Sequence, residues 1–242
     1  MRRGYQECSE LGAMSCPCAR RMPAHDPCTA HASTVGSTAM EEMNPEVELA
    51  YRYQAKSLLR KRARQLRNSI PAAAIAKRSA RIAEQLEALP TVVAAQTIAL
   101  FWPIEGRNEV DLTALDGRLR AQGKRIAYPS IDPDTRVMTF RFVDDPTAME
   151  ERGLGFDEPD PAAEEATALD VVVVPALQVD VRGHRIGYGA GFYDRTLPRF
   201  APPGVAIAVA YAFQLISEVP VTEGDVPVSM IVTDEKVIEA SP

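Results

Sequence analysis

The chain has 242 residues, and its 27 Lys and Arg against 33 Asp and Glu leave a formal net charge of −6. An acidic balance argues against a general nucleic-acid binder. The longest apolar run, residues 171–179, is too short to span a bilayer and is interrupted by Pro175. We therefore expect a soluble protein that has neither nucleic acid nor a membrane as a partner.

Residues 1–45 differ from the rest, because they mix Ser, Thr, Pro, Cys and Met without apolar periodicity. This composition predicts a disordered tail, and residues 46–242 are expected to form one domain. The cysteines of the chain all lie in the tail, so a disulfide framework for the domain is excluded and a cytoplasmic location is expected. The four cysteines are Cys8, Cys16, Cys18 and Cys28. Together with His25 and His31 they match no usual zinc-binding spacing.

Helices are predicted at residues 46–68 and 72–88. The first has an apolar face at helical spacing, formed by Ala55, Leu59, Ala63 and Leu66. A basic stripe lies beside that face: Lys56, Arg60, Arg64 and Arg67. Residues 49–83 contain no Asp or Glu, and such a local basic zone suits a small polyanion such as a nucleotide. For most of these cations, a solvated helix face is the simpler interpretation.

Short apolar runs then alternate with a helical stretch at residues 110–121. The predicted strands are residues 97–102, 125–128, 137–143, 170–174, 204–211 and 228–232, with Pro129 ending the second. This alternation predicts a single-domain α/β fold, a mainly parallel sheet with helices on both faces. Ligands collect at the carboxyl ends of parallel strands, where residues 102–111, 175–194 and 211–214 fall.

Residues 187–194, with the sequence GYGAGFYD, are the most informative stretch of the chain. Glycines at alternate positions let the backbone approach a bulky anion, and successive N–H groups can form a nest for phosphate oxygens. Arg185 would add positive charge, and Asp194 could hold Mg²⁺ beside the phosphates. The alternative interpretation is a glycine-rich surface turn that binds nothing.

The wider segment, residues 174–195, resembles the signature of 5-formyltetrahydrofolate cyclo-ligase, which is also called methenyltetrahydrofolate synthetase. The similarity extends from about Lys56 to about Val237. It implies a compact single-domain α/β enzyme with ATP as co-substrate and Mg²⁺ as metal. The implied reaction converts 5-formyltetrahydrofolate into 5,10-methenyltetrahydrofolate and releases ADP and phosphate.

The resemblance also assigns residues to the site. Lys56 and Arg185 would stabilise transition-state charge, and no nucleophile or general base on the protein is implied. Asp194 would be the metal ligand. The residues implied for folate are Trp102, Glu109, Tyr188 and Phe192. Those implied for ATP are Lys56, Arg60, Arg185, Ile186, Gly187, Tyr188, Gly189, Ala190, Gly191, Phe192 and Tyr193.

The chemistry of the folate residues fits a flat pterin, which needs an aromatic wall and a carboxylate acceptor for its donor-rich edge. Trp102 and Tyr193 also suit ordinary core packing, and Glu109 also suits the N-terminus of a helix. Polyglutamylated folate is a candidate form of the substrate, and a monomer or weak dimer is expected.

Three positions depart from the pattern of many family members. Ala190 stands where many have Lys, Tyr188 where many have Arg, and Ser229 where many have an Asp that helps to bind Mg²⁺. Asp225 is the candidate that would compensate for Ser229.

Two other functions stay open at this stage. A sugar-phosphate isomerase or CoA transferase on a similar sheet would need a committed carboxylate, but the candidate pair Asp157 and Glu158 is expected in a surface loop. The second alternative is a catalytically inactive folate- or nucleotide-binding protein of the same fold.

Overall fold

A computed structural model describes residues 44–241 of the protein. The predicted disorder of the N-terminal tail, and the predictions for its cysteines and histidines, lie outside the described residues. Within residues 44–241, no helix combines the length and the hydropathy needed to cross a membrane.

The helices are short except for the first two, which lie close to where they were predicted. The Asn44 side chain accepts a hydrogen bond from the backbone N–H of Glu46 (2.9 Å) and caps the first helix. The helix predicted at 110–121 begins only at Thr113, whose backbone N–H donates to the Asp111 carboxylate (2.9 Å). The helices are α1 (Pro45–Asn68), α2 (Ala72–Glu87), α3 (Pro90–Ala94), α4 (Thr113–Ala121) and α5 (Phe192–Thr196).

Helix α1 buries a face that differs from the predicted apolar one. Its buried residues are Lys56, Ala63 and Arg67, whereas Leu66 is 50% exposed. The prediction for Leu66 is wrong because the basic stripe, rather than Leu66, faces the rest of the protein. The two buried cations are tolerated there because each pairs with a carboxylate, Lys56 with Asp225 and Arg67 with Glu109.

The strands of the described residues form one large sheet and two small ones. The large sheet has the order β12-β11-β9-β6-β1-β2-β3, in which only the two edge pairs are antiparallel. The predicted mainly parallel α/β fold is therefore confirmed. Its strands are β1 (Thr97–Ala99), β2 (Arg125–Ile131), β3 (Met138–Phe142), β6 (Val171–Pro175), β9 (Val205–Val209), β11 (Met230–Val232) and β12 (Val237–Glu239).

Alternate residues of the central strands pack into two hydrophobic cores, one on each face of the sheet. Val171 and Val173 of β6 point to the face that α2 and α4 cover, where they join Leu86 and Leu115. Val172 and Val174 point to the opposite face, which is covered in part by the segment that follows α5. Strands β6 and β9 are apolar throughout because both of their faces are buried.

We expected Pro129 to end β2, but the strand continues through it to Ile131. The parallel partner β1 reaches only as far as Ala127, and beyond it β2 pairs with antiparallel β3 alone, with Pro129 opposite Phe140. A proline is tolerated where one neighbour of a strand is missing, because the N–H that it lacks would have had no partner.

The sequence did not predict the small sheet of β7 (Gln178–Asp180), β8 (Arg185–Ile186) and β10 (Leu215–Ile216). The Asp180 carboxylate is fully buried and accepts hydrogen bonds from the backbone N–H groups of Arg182, His184 and Val219. This carboxylate closes the turn between β7 and β8, so that β8 carries Arg185 into the site described below.

A hairpin of β4 (Glu150–Glu151) and β5 (Asp157–Glu158) corrects a further expectation. Glu158 does not lie in a surface loop, because it is only 1% exposed and accepts a hydrogen bond from the backbone N–H of Ile131 (2.6 Å). Burial raises the pKa of this carboxyl group. The Glu158 side chain therefore anchors the hairpin to the end of β2.

Candidate active site

A cavity of about 650 Å³ opens at the carboxyl ends of the parallel strands. Trp102 follows β1, Ile131 ends β2 and Pro175 ends β6, and these three residues line it together with α1 and the glycine loop, residues 187–191. Strand ends are where an α/β sheet is expected to bind ligands. The predicted segment 211–214 does not line the cavity, and residues 222–225 line it instead.

The cavity brings together all of the site residues that the sequence predicted. Helix α1 supplies two cations, the segment after β1 supplies an aromatic and a carboxylate, and residues 185–194 supply the remaining residues. These lining residues are Lys56, Arg60, Trp102, Glu109, Arg185, Ile186, Gly187, Tyr188, Gly189, Ala190, Gly191, Phe192, Tyr193 and Asp194.

The glycine loop packs against α1. Gly189 has a φ of +104°, and a Cβ atom there would lie 3.3 Å from the Arg60 guanidinium. The Arg60 Nε donates to the Gly187 carbonyl (3.1 Å), and Gly191, with a φ of +68°, leads directly into α5. The loop therefore lies against a cation and lines a cavity, which does not fit an isolated surface turn.

Two of the predicted phosphate-binding cations are buried and paired. Lys56 is 4% exposed, forms an ion pair with Asp225 and donates to the Thr222 hydroxyl (2.6 Å). Arg185 donates to Asp194 (2.8 Å) and to the Val226 carbonyl. Burial lowers the pKa of Arg185, and the nearby Asp194 carboxylate opposes that effect. These contacts hold both cations at the cavity wall before any ligand enters.

Asp194 and Asp225 each keep one carboxylate oxygen without a hydrogen bond from the described residues. The Asp194 Oδ1 accepts from Arg185 and the Val226 backbone N–H, and the Asp225 Oδ2 accepts from Lys56 and Thr222. Residues 44–241 hold no group of three or more His, Cys, Asp or Glu that could bind a metal ion. A metal here would need ligands from water or from a substrate.

Glu109 lies in a buried polar cluster with Tyr188 and Arg67. The Glu109 carboxylate is 5% exposed, accepts from the Tyr188 hydroxyl (2.5 Å) and from the Ile104 backbone N–H (2.8 Å), and lies 3.5 Å from Arg67. It therefore does not cap a helix. Burial and the Glu109 charge raise the pKa of Tyr188 to about 12, so the hydroxyl keeps its proton near neutral pH.

Sequence reasoning placed Arg67 only in the basic stripe of α1. Its spacing from Lys56, Arg60 and Ala63 puts all four residues on one helix face, a signal that was present in the chain. Solvation was the simpler interpretation for such a face, and for Arg67 it is wrong because the side chain is 3% exposed.

The aromatic residues divide between the wall and the rim of the cavity. Trp102 packs edge-to-face on Tyr128, with ring centroids 5.8 Å apart, and still lines the cavity. Phe192 lies beneath two guanidinium groups, those of Arg136 (5.3 Å) and Arg195 (5.5 Å). Arg136 was not predicted, because it belongs to the turn between β2 and β3 and only the fold brings that turn to the site.

Comparisons with known proteins agree with this geometry. The sequence profile of the 5-formyltetrahydrofolate cyclo-ligase family matches residues 52–234. The chain belongs to this family. It is 32% identical to the 5-formyltetrahydrofolate cyclo-ligase of Escherichia coli (strain K12), over 65% of this chain and 88% of the relative. It is 31% identical to that of Mycolicibacterium smegmatis, over 77% of this chain and 97% of the relative.

A solved structure shares the fold of this family member. The NMR structure of Aquifex aeolicus 5,10-methenyltetrahydrofolate synthetase superimposes with a TM-score of 0.68 at 29% identity. The match covers 77% of this chain and 93% of the Aquifex chain. The resemblance stated from the sequence is confirmed.

The departures of this cyclo-ligase family member from the common pattern lie in different places. Ser229 is exposed, does not line the cavity, and uses its backbone N–H to bond the Ala206 carbonyl (3.0 Å). Ala190 and Tyr188 do line the cavity. Many family members have Arg at the position of Tyr188. In this chain a cation from α1 lies beside that position, because Arg67 donates to the Tyr188 hydroxyl (2.5 Å).

Proposed function

We propose that this protein is a 5-formyltetrahydrofolate cyclo-ligase. It closes 5-formyltetrahydrofolate to 5,10-methenyltetrahydrofolate with ATP and releases ADP and phosphate. Membership of the family supports the reaction, and the observation that carries the assignment is the shared cavity. One cavity has a glycine loop with cations on one side and an aromatic residue with a carboxylate on the other.

The nucleotide side of the cavity comprises α1 and residues 185–193. Arg60 uses its Nε for the Gly187 carbonyl, and its terminal nitrogens have no hydrogen-bond partner among the described residues. Lys56 has three donors and uses two of them, on Asp225 and Thr222, so that one remains for a phosphate oxygen. We assign the triphosphate to these cations, to Arg185 and to the backbone N–H groups of the glycine loop.

The folate side comprises Trp102, Glu109, Tyr188 and Phe192. Trp102 offers an aromatic wall to the flat pterin, and Glu109 is the carboxylate acceptor for its donor-rich edge. Its Oε1 and Oε2 each accept one hydrogen bond, from Tyr188 and Ile104, so each oxygen keeps acceptor capacity for pterin N–H groups.

The carboxylates of the cavity fit a magnesium ion that is held mainly by phosphates and water. Mg²⁺ in nucleotide sites usually takes one or two carboxylates and keeps several waters. We assign Asp194 as its ligand, with Asp225 as the second carboxylate. When bound, the ion would neutralise charge on the phosphates.

Ring closure needs activation because the oxygen of an amide is a poor leaving group. In the proposed sequence, the formyl oxygen attacks the γ-phosphorus and ADP leaves, giving a formimidoyl phosphate. N10 then attacks the formyl carbon, its proton is lost and inorganic phosphate departs. Lys56 and Arg185 would stabilise the phosphoryl charge, and the protein's main contribution is alignment.

The test is a direct assay of the purified protein with ATP, Mg²⁺ and 5-formyltetrahydrofolate. The methenyl product absorbs where the substrate does not, and phosphate release should match its formation one to one. Binding of both ligands without either signal would support the inactive binding protein instead. A cytoplasmic location, a monomer or weak dimer, and use of polyglutamylated folate stay predictions.

A further inference from the structure

Arg67 is a buried cation that contacts two residues of the cavity wall. It does not line the cavity, yet its Nη2 donates to the Tyr188 hydroxyl (2.5 Å) and its Nη1 lies 3.5 Å from the Glu109 Oε1. Its guanidinium also lies over the Tyr188 ring, 5.8 Å from the centroid. Glu109 is its only carboxylate partner among residues 44–241.

The direction of these hydrogen bonds is determined by chemistry. A guanidinium can only donate, so the Tyr188 oxygen must accept from Arg67 and direct its own proton to Glu109. Arg67 thereby fixes the rotation of the hydroxyl, and the hydroxyl fixes one oxygen of the carboxylate. The other oxygen is held by the Ile104 backbone N–H.

Further contacts join α1 to the sequence neighbours of Glu109 and Tyr188. The Asn108 side-chain amide donates to the carbonyls of Arg67 (3.1 Å) and Ile70 (3.0 Å). Two turns earlier on the same helix face, Arg60 holds the Gly187 carbonyl. Helix α1 therefore contacts consecutive loop residues with separate cations, one at Gly187 and one at Tyr188.

A fully buried guanidinium is costly unless its partners repay the loss of water, and the Nε of Arg67 is buried without a partner among the described residues. Its position is therefore difficult to explain by stability alone. Of the groups that it orients, Glu109 is assigned to the folate alone, and Tyr188 belongs to the glycine loop and donates its hydroxyl proton to Glu109.

We propose that Arg67 is a positioning residue for folate: through the Tyr188 hydroxyl it holds the Glu109 carboxylate in the orientation that accepts the pterin N–H groups, without itself contacting substrate. This inference rests on the proposed function for the identity of the ligand. It adds a residue that the sequence resemblance did not assign.

The test compares Arg67→Met, Arg67→Lys and Tyr188→Phe with a matched control, Arg62→Met. Arg62 is an exposed residue of α1 that makes no side-chain hydrogen bond or ion pair within residues 44–241. Trp102 is the only tryptophan of the chain and lines the cavity, so its fluorescence reports folate binding without turnover. Steady-state assays give kcat and separate KM values for 5-formyltetrahydrofolate and ATP.

Arg67→Met should weaken folate binding and raise the folate KM by about 10- to 100-fold, the effect of losing a hydrogen bond to a charged group. The ATP KM should change by less than about threefold, and Arg67→Lys should recover part of the loss. Arg62→Met should match the wild type. Because Arg67 acts through Tyr188, combining Arg67→Met with Tyr188→Phe should add little to either single change.

Equal changes in the folate and ATP constants, or additive effects in the double variant, would overturn the proposal. If Arg67→Met does not fold, Tyr188→Phe decides alone, because Tyr188 is 37% exposed and its ring remains. A wild type that binds folate but makes no product would refute the proposed reaction. The fluorescence titrations would still test whether Arg67 is needed for folate binding.

Discussion

At the scale of single residues, the site depends on where a side chain is absent as much as on where one is present. Gly189 lies beside the Arg60 guanidinium with a positive φ, and that cation could not approach so closely past a Cβ atom. Arg185 and Asp194 show the reverse case, in which a buried cation requires a carboxylate partner. These two arrangements lead to different predictions.

Replacing Gly189 with Ala should weaken ATP binding and destabilise the fold by similar amounts. The added Cβ would lie 3.3 Å from Arg60 in a backbone conformation that L residues rarely adopt, so we expect a cost of about 1–2 kcal/mol and an ATP KM raised about tenfold. Steady-state kinetics and thermal unfolding measure the two effects.

Gly117→Ala is the control for this change. Gly117 is in α4 with no atom within 4 Å of an added Cβ, so that variant should be more stable by about 0.5–1 kcal/mol and equally active. An unchanged ATP KM in the Gly189 variant would contradict the role given to the loop.

Asp194→Asn should reduce turnover and also destabilise the fold, because the buried Arg185 loses its carboxylate partner. The amide oxygen can still accept from Arg185 and from the Val226 backbone N–H, but the charge that would hold Mg²⁺ is lost. We expect kcat/KM to fall about 100-fold and the Mg²⁺ concentration for half-maximal rate to rise. A Mg²⁺ titration of initial rates measures both.

Asp134→Asn, which changes an exposed carboxylate without side-chain hydrogen bonds, is the matched control and should behave as the wild type. Mg²⁺-dependent turnover that survives in a folded Asp194 variant would refute the metal role of this residue.

At the scale of elements, one side chain just outside the strands joins the starts of β1 and β6. Asp170, which precedes β6, joins that strand to the start of β1. Its Oδ2 accepts hydrogen bonds from the backbone N–H groups of Gln96 and Thr97 (2.8 Å each) and from the Thr97 hydroxyl (2.9 Å). Since β1 and β6 both lead to the cavity, this contact aligns two of its walls.

Asp170→Ala should lower the free energy of unfolding by about 1–2 kcal/mol at pH 7, a modest loss because the carboxylate is exposed. The backbone hydrogen bond of Thr97 is the main reason that the pKa of Asp170 is lowered. A lowered pKa means that the carboxylate stabilises the fold above its unfolded pKa, about 3.9, and that this contribution is lost as the pH falls through the folded value.

Urea unfolding from pH 7 to pH 3 checks the prediction for Asp170. The difference between wild type and Asp170→Ala should stay constant down to about pH 5 and shrink below about pH 4. A difference that is independent of pH would show that the loss is not due to the ionised carboxylate. Asp134→Ala controls for the removal of a surface charge.

At the scale of the whole molecule, the cavity exists only in the folded chain. Its lining residues come from several helices, strand ends and loops, so unfolding disperses them over the sequence from Tyr53 to Asp225. A ligand that binds such a site stabilises the folded state by mass action.

Saturation with 5-formyltetrahydrofolate at 100 times its Kd should therefore add about 2.7 kcal/mol and raise Tm by about 5 °C or more. Differential scanning calorimetry at several ligand concentrations measures the shift. 5-Formyltetrahydrofolate and ATP should each raise Tm when added alone, and a compound of equal charge without the pterin serves as the control. No shift with either ligand would contradict the assignment of the cavity.

Local sequence was sufficient for the first two helices, for most strands of the large sheet and for the glycine loop. The β-branched run that forms β6, the glycine spacing of residues 187–191 and the helical periodicity of α1 each express preferences of neighbouring residues. Errors arose where a neighbour in space overrode the local signal, as at Pro129, which continues β2 because only one partner strand is present there. Glu158 is buried for a similar reason, since the end of β2 offers it an unpaired N–H.

The sequence by itself therefore determined the family, the α/β architecture and a part of the residues that line the cavity, among them Lys56, Trp102 and the glycine loop. Only the tertiary structure decided which charges are paired, because Lys56 and Asp225 are 169 residues apart and Arg67 and Tyr188 are 121 residues apart. Periodicity reports on the few residues within one or two turns of a helix. The partner of a buried charge is chosen by packing between distant elements, and no local pattern encodes it.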